Sequence, residues 1–231
     1  MRFSVITARI NSILLIWLSV AFGAAQSNVD PRLHKMSQPT LPKIDRNACP
    51  FEGCQFGQWV ARQKIQLCST WRIPRKLFRN IPAGESVVAI TGIYITSEPT
   101  QIEVTAPIPA YGLKPGDMVF GYMNVGEGFF NAWFNGYWVE EFDGSGIMNS
   151  DGSGCRNQCN GKLVKRGRAE WWVQVRTADG VTGWTKDGNK FDGSDALAEM
   201  VREQKAVEIS SAKAQEQGRV IWGRPSPRPV L

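Results

Sequence analysis

The sequence predicts an all-β domain followed by one C-terminal α-helix. Three observations predict it. Glu170 to Thr185 reads as two short strands closed by Asp179-Gly180, a pair that suits a type I′ turn because both central positions need positive φ. Gly128 to Glu140 reads the same way around Asn135-Gly136. After Phe191-Asp192-Gly193 the apolar spacing changes from alternation to a helical period.

The chain has 231 residues, enough for one large or two small domains. Residues 1–25 stand apart. Arg2 and Arg9 precede a largely apolar run from Ile13 to Ala25 that ends in Gly23, Ala24 and Ala25. This is the layout of a secretory signal peptide, and cleavage after Ala25 is expected. The run is shorter than the ~20 residues of a membrane-spanning helix, so an uncleaved anchor is the alternative and no transmembrane segment is expected after cleavage. The localisation that follows is periplasmic or secreted. Formal charge is +6, of which Arg2 and Arg9 contribute two, so the chain from residue 26 is mildly basic. That suits weak attraction to anionic envelope surfaces. Its bases are dispersed, and nucleic acid is not an expected partner. Lys162, Lys165, Arg166 and Arg168 read as a solvated loop.

Residues 26–48 are polar and punctuated by Pro31, Pro39 and Pro42, which predicts a flexible linker. The only histidine, His34, falls in it. From residue 49 to 193 the pattern is β. Gln58 to Arg62, Lys64 to Leu67, Ser86 to Thr91, Gly92 to Thr96, Gln101 to Thr105 and Met118 to Tyr122 are strand candidates, separated by turns such as Ile81 to Glu85 and Leu113 to Asp117. In the Asn135-Gly136 hairpin, Trp133 should face Trp138 and Phe134 should face Tyr137. Residues 143–162 read as a loop, with Asp-Gly-Ser-Gly at 143 repeated at 151. A calcium site at Asn149, Asp151 and Ser153 lacks its closing Glu, because Asn160 stands there.

In the Asp179-Gly180 hairpin a two-residue turn sets Ala178 against Val181, Arg176 against Gly183 and Val175 against Trp184. Val173, Val175 and Trp184 then form the core face, while Trp172, Gln174 and Arg176 point away from it. Ser194 is the expected N-cap of a helix over residues 194–217, which carries a thin apolar stripe of Leu197, Met200, Val201 and Val207. Gly218 should end it. Residues 218–231 form a basic, Pro-rich tail, expected to be extended.

Five cysteines are present. In an oxidising compartment Cys49–Cys54 and Cys155–Cys159 are plausible local disulfides, with a zinc site from the same four residues as the alternative. Cys68 reads as a buried thiol or a partner of Cys54. No cofactor is expected.

Three segments carry a family resemblance. Trp59 to Leu67 followed by Ile81 to Ile90, Gly126 to Trp138, and Trp172 to Trp184 resemble the opening strands, an inner hairpin and the closing hairpin of bacterial SH3-like (SH3b-type) domains. Cys49-Pro50-Phe51-Glu52-Gly53-Cys54 is similar to a segment before the first strand in exported proteobacterial members. The β region is more than twice a minimal barrel of this kind. The resemblance therefore implies an SH3-like barrel with a long β-hairpin insertion over 93–168, or two intertwined small barrels. It also implies a binding module rather than a catalyst.

The expected function is an exported, non-enzymatic binding module of the cell envelope. Its partner would be cell-wall glycopeptide or an envelope protein, held in an aromatic groove. Trp172 is the first candidate for contact, with Trp133, Tyr137, Trp138 and Arg176 beside it. A structural or assembly subunit docking through the C-terminal helix and tail is the alternative. An envelope hydrolase is the least supported reading, because a nucleophile needs a base and His34 lies in the linker. Glu140, Glu141 and Asp143 are the only carboxylate cluster that suggests one.

Overall fold

The computed structural model describes residues 33–126, 128–148, 155 and 159–222, with side chains described as far as residue 211 and at Lys213. The expected signal segment, most of the 149–158 loop with the calcium candidates, and residues 223–231 of the tail lie outside the described residues.

In chain order the strands are β1 (Leu33–Lys35), β2 (Lys43–Arg46), β3 (Gly57–Ala61), β4 (Ile65–Cys68) and β5 (Leu77–Ile81). Then come β6 (Ser86–Glu98), β7 (Thr100–Val104), β8 (Met118–Gly126), β9 (Phe129–Phe134) and β10 (Tyr137–Asp143). The last are β11 (Ile147–Met148), β12 (Gly161–Lys165), β13 (Arg168–Thr177), β14 (Thr182–Thr185) and β15 (Phe191–Asp192), followed by α1 (Ala196–Trp222). The protein is all-β with one C-terminal helix.

Two sheets divide these strands. One runs β15-β3-β6-β13-β14-β4-β5, with β2 added to β6, and the other runs β1-β10-β9-β8-β7-β12-β11. Strands β7 to β12 of the second sheet are inserted between β6 and β13, which are adjacent strands of the first, and β1 joins that sheet from the N-terminal side. The sequence boundaries of 93–168 are therefore too wide at the start, because β6 continues in the first sheet to Glu98. The chain crosses at Pro99 and returns at Arg166-Gly167. Glu98 ties the crossing together through ion pairs with Lys165 and Arg168, and Gly167 N–H donates to Thr100 Oγ1 at 3.1 Å. Those cations, the Lys165 hydrogen bond first, hold the Glu98 carboxyl below its ordinary pKa.

Each sheet has its own core. Trp59, Ile65, Leu67, Ile81, Val173, Val175 and Phe191 fill the first. Tyr111, Leu113, Val119, Phe134, Val139 and Phe142 fill the second, with the Tyr111 and Phe142 rings stacked at 4.6 Å.

Residues 33–48 are not a flexible linker. β1 pairs with the hairpin strand β10, and β2 pairs with β6, so this segment straps one sheet to the other. The backbone of its two short strands is paired in ladders, which polar composition alone does not reveal. The strap closes at Ala48, whose N–H donates to Gly92 O at 3.0 Å and whose carbonyl accepts Trp171 Nε1 at 2.9 Å. A Cβ on Gly92 would lie 2.1 Å from Ala48 O, so only glycine fits there.

The Asn135-Gly136 hairpin has the expected register, Trp133 opposite Trp138 and Phe134 opposite Tyr137, and both turn residues have positive φ. The Asp179-Gly180 hairpin does not. Gln174, not Val175, lies opposite Trp184, and Arg176 lies opposite Thr182. Only Gly180 takes positive φ, so the loop has three residues, closed by Thr177 N–H donating to Val181 O at 2.9 Å. Asp179 is anchored from outside the hairpin by Arg79 Nη1 at 2.6 Å, a contact from β5 that local sequence cannot show. The one-residue slip moves Trp184 to the other face. It packs with Trp172 and not with Val173 and Val175.

The helix also differs at both ends. Asp195 is the capping side chain, accepting N–H bonds from Leu197 and Ala198 at 3.0 Å, while Ser194 Oγ donates to Phe191 O. Gly218 does not stop the helix, which continues to Trp222.

Cys49–Cys54 and Cys155–Cys159 form disulfides, with Cα separations of 5.5 and 5.8 Å. This consumes the thiolates that the zinc alternative required. Cys68 is a buried free thiol. Two disulfides are the chemistry of an oxidising, extracytoplasmic compartment. Among the described residues no helix is long and apolar enough to cross a membrane.

Candidate functional site

The five nominated side chains do not form one groove. Trp133, Tyr137 and Trp138 lie on the inserted sheet, and Trp172 and Arg176 lie on β13. Trp138 is buried against Tyr122 with ring centroids 5.3 Å apart, and Lys43 Nζ of the strap sits 4.7 Å above its ring. Trp133 packs on Phe120 at 5.8 Å and donates from Nε1 to Met36 O at 3.0 Å. The strap therefore covers this aromatic face. Tyr137 is exposed beside Lys35 of β1, and Arg176 is exposed beside the Asp179 loop.

Trp172 does point away from the main core, as its place in β13 requires, but it is only 3% exposed. The outer face of the first sheet has a cluster of its own: Trp172, Ile93 and Cys68 buried, with Trp71, Ile95 and Trp184 packed against them. The loop between β4 and β5 folds over it. The Arg75 guanidinium stands 4.5 Å from the Trp172 ring centroid and Lys186 Nζ stands 5.2 Å from it. Trp172 Nε1 donates to Glu170 Oε2 at 2.9 Å, and Lys186 Nζ bonds Oε1 of the same carboxylate at 2.5 Å. Glu170 is held below its ordinary pKa, by the Lys186 hydrogen bond first, then by Trp172 and by the charges of Lys186 and Arg75, against an opposing desolvation.

Beside this cluster lies an open cleft of about 640 Å³. Its apolar lining includes Ile44 of β2, Ile95 of β6 and Trp71 and Ile73 of the β4–β5 loop, and its polar groups are Arg72, Arg75, Ser97 and Glu170. Register explains the isoleucines of the sheet: Ile44 lies opposite Ile95 and so shares its face. Trp71, Arg75 and Ile44 were not nominated from sequence. The signal was available in Trp71-Arg72-Ile73-Pro74-Arg75-Lys76, a basic-apolar run next to a strand, but the partner strand β2 came from a segment read as linker.

At the end of the inserted hairpin Asp143 Oδ1 accepts the Ser145 N–H at 2.9 Å. Glu141 has φ 59° at a break in the β9–β10 register, and its N–H donates to Asn131 Oδ1 at 3.3 Å. His34 lies in β1, opposite Trp138.

No family model, no curated protein and no solved structure matches this chain.

Proposed function

We propose that this chain is a non-enzymatic binding module of the cell envelope. It holds an extended ligand, a cell-wall glycopeptide or a segment of a partner protein, in the cleft beside Trp172. The observation that carries this reading is the cleft itself: an apolar lining of Trp71, Ile73, Ile44 and Ile95 with two guanidinium groups, Arg72 and Arg75, and the Glu170 carboxylate, on an open sheet face. In this reading the first sheet is the SH3-like unit and the second sheet is its insertion. The shared core around Trp59, fed by strands from both sides of the insertion, supports that division. Trp172 is a supporting residue under the cleft, and the indole of Trp71 is the one placed to stack on a sugar or pack on a peptide.

The test is capture by insoluble peptidoglycan, using oxidised protein from residue 26 onward, which keeps every described residue. Trp71→Ala should lower retention about tenfold, the loss of a stacking contact of about 1.4 kcal/mol. Trp133→Ala should leave it unchanged. Retention equal in wild type and Trp71→Ala would overturn the site. Trp172→Ala is not a clean test of binding, because it removes a buried indole.

A second reading has its own observation. Met200, Val201 and Val207 of α1 are exposed on one side of the helix, next to Leu197 at its root, so the helix offers a short apolar stripe to solvent. An assembly subunit would use it to dock a partner. Loss of a co-purifying envelope protein in Met200→Glu/Val207→Glu, with peptidoglycan retention intact, is the outcome expected of that reading. A hydrolase finds no comparable support.

A further inference from the structure

The charges around the cleft are one-sided. Arg72 and Arg75 line it together with a single carboxylate, Glu170. Glu170 is already neutralised, because Lys186 Nζ bonds one of its oxygens at 2.5 Å and Trp172 Nε1 donates to the other at 2.9 Å. Arg46 adds a further cation to the same face of the sheet. It lies opposite Ile93 as Ile44 lies opposite Ile95, and cross-strand partners share a face. Arg46, Arg72 and Arg75 form no ion pair among the described residues, so all of this guanidinium charge is unneutralised.

The two cleft arginines are also held in place. The Arg72 guanidinium lies 4.8 Å from the Trp71 ring centroid, the Arg75 guanidinium lies 4.5 Å from that of Trp172, and Arg75 Nη1 donates to Trp71 O at 3.0 Å. A guanidinium over an indole keeps in-plane N–H donors available, and their fork matches the two oxygens of a carboxylate. The main chain offers little beside them. Ile93 to Thr96 of β6 is paired with β2 on one side and β13 on the other, so its N–H and C=O groups are committed to ladders. A protein segment laid across this face would bring main-chain groups that β6 cannot pair. A ligand recognised through carboxylates and an apolar or sugar face suits the site better.

We infer that the cleft selects for negative charge, and that its ligand is a cell-wall glycopeptide bound through the free carboxylates of its peptide stem. Arg72 and Arg75 take the carboxylates, Trp71 takes the sugar ring or an apolar side chain, and Arg46 adds attraction from the neighbouring strand. The inference rests on the cleft being the ligand site, and it adds the charge that the ligand must carry.

Capture by two forms of insoluble peptidoglycan tests it, using oxidised protein from residue 26 onward. One form is native, and in the other the carboxyl groups are converted to methylamides with carbodiimide and methylamine. Wild-type retention should fall about tenfold on the amidated polymer, the scale of one lost charge-assisted hydrogen bond. Arg72→Gln should fall by as much on the native polymer and should lose no more on the amidated one. Arg72 is exposed, and near-UV circular dichroism checks that the variant retains the wild-type fold. Wild-type retention unchanged by amidation, or Arg72→Gln retained like wild type on the native polymer, overturns the inference. If Trp71→Ala still lowers retention in either case, the cleft reading stands and the charge selection fails alone. Failure to capture native peptidoglycan also overturns it. Capture on bead-bound polyglutamate in that event, lost in Arg72→Gln, would assign the same arginines to an acidic protein segment.

Discussion

Asp179 shows how much one side chain decides here. It accepts from Thr177 Oγ1 and from Arg79, and these bonds, Thr177 first, hold its carboxyl down to about 2. A depressed folded-state pKa means the stabilisation is complete above the unfolded value near 4 and is lost as pH falls toward 2. Asp179→Asn should therefore lower Tm at neutral pH and flatten the acid limb between about pH 4 and 2, read by thermal melts across that window. The same residue explains the slipped register. Asp179-Gly180 was legible as a turn, but its length was not, because Arg79 comes from a strand a hundred positions away in sequence. Trp172 carries the companion lesson. Its face was legible from alternation along β13, whereas its burial depends on Arg75 and Lys186 closing over the ring. Trp172→Ala should cost about 3–5 kcal/mol in a denaturant titration, as removal of a fully packed indole does.

Among the elements, the Cys49–Cys54 loop joins the most parts. Phe51 meets Trp171 edge-on at 5.6 Å, Gly53 O accepts Ala196 N–H at 2.8 Å, and Gln55 N–H donates to Ser194 O at 3.2 Å. A Cβ on Gly53 would lie 2.7 Å from Asp195 Oδ1, so the loop seats directly on the helix start. The disulfide therefore fixes the root of α1. A Cys49→Ser/Cys54→Ser double variant should lose about 2 kcal/mol, the value for closing so short a loop. Hydrogen exchange should speed up at Ala196 and Glu199, whose N–H groups donate to Gly53 and Asp195, and not in β9. Exchange rates unchanged at the helix start would refute this linkage. The cysteine pairings themselves were legible from spacing and compartment. Their attachment to the helix was not, because it joins positions more than a hundred residues apart.

At the scale of the molecule, the strap of residues 33–48 is what makes two sheets one structure. It extends the inserted sheet with β1, extends the first sheet with β2, and lies across Trp133 and Trp138 between them. Removing residues 26–48 should uncover that aromatic face. The expected outcome is a loss of stability of at least the ~1.5–3 kcal/mol of one large side chain returned to water, seen as a lower Tm, with a gain in dye binding to exposed apolar surface. A truncated protein with wild-type Tm and no added dye binding would show the strap to be dispensable.

By itself the sequence determined what local chemistry controls: an all-β chain ending in a helix, the Asn135-Gly136 turn with both residues at positive φ, the alternation that sets Trp172 apart from Val173 and Val175, and two short-range disulfides. Each follows from a few adjacent residues. Tertiary structure alone decided which exposed-looking aromatics are covered, where the β13–β14 register falls, and that the cleft joins Ile44, Ile95 and Trp71. Those outcomes depend on contacts across long stretches of chain, and periodicity in one segment carries no information about the partner that will pack on it.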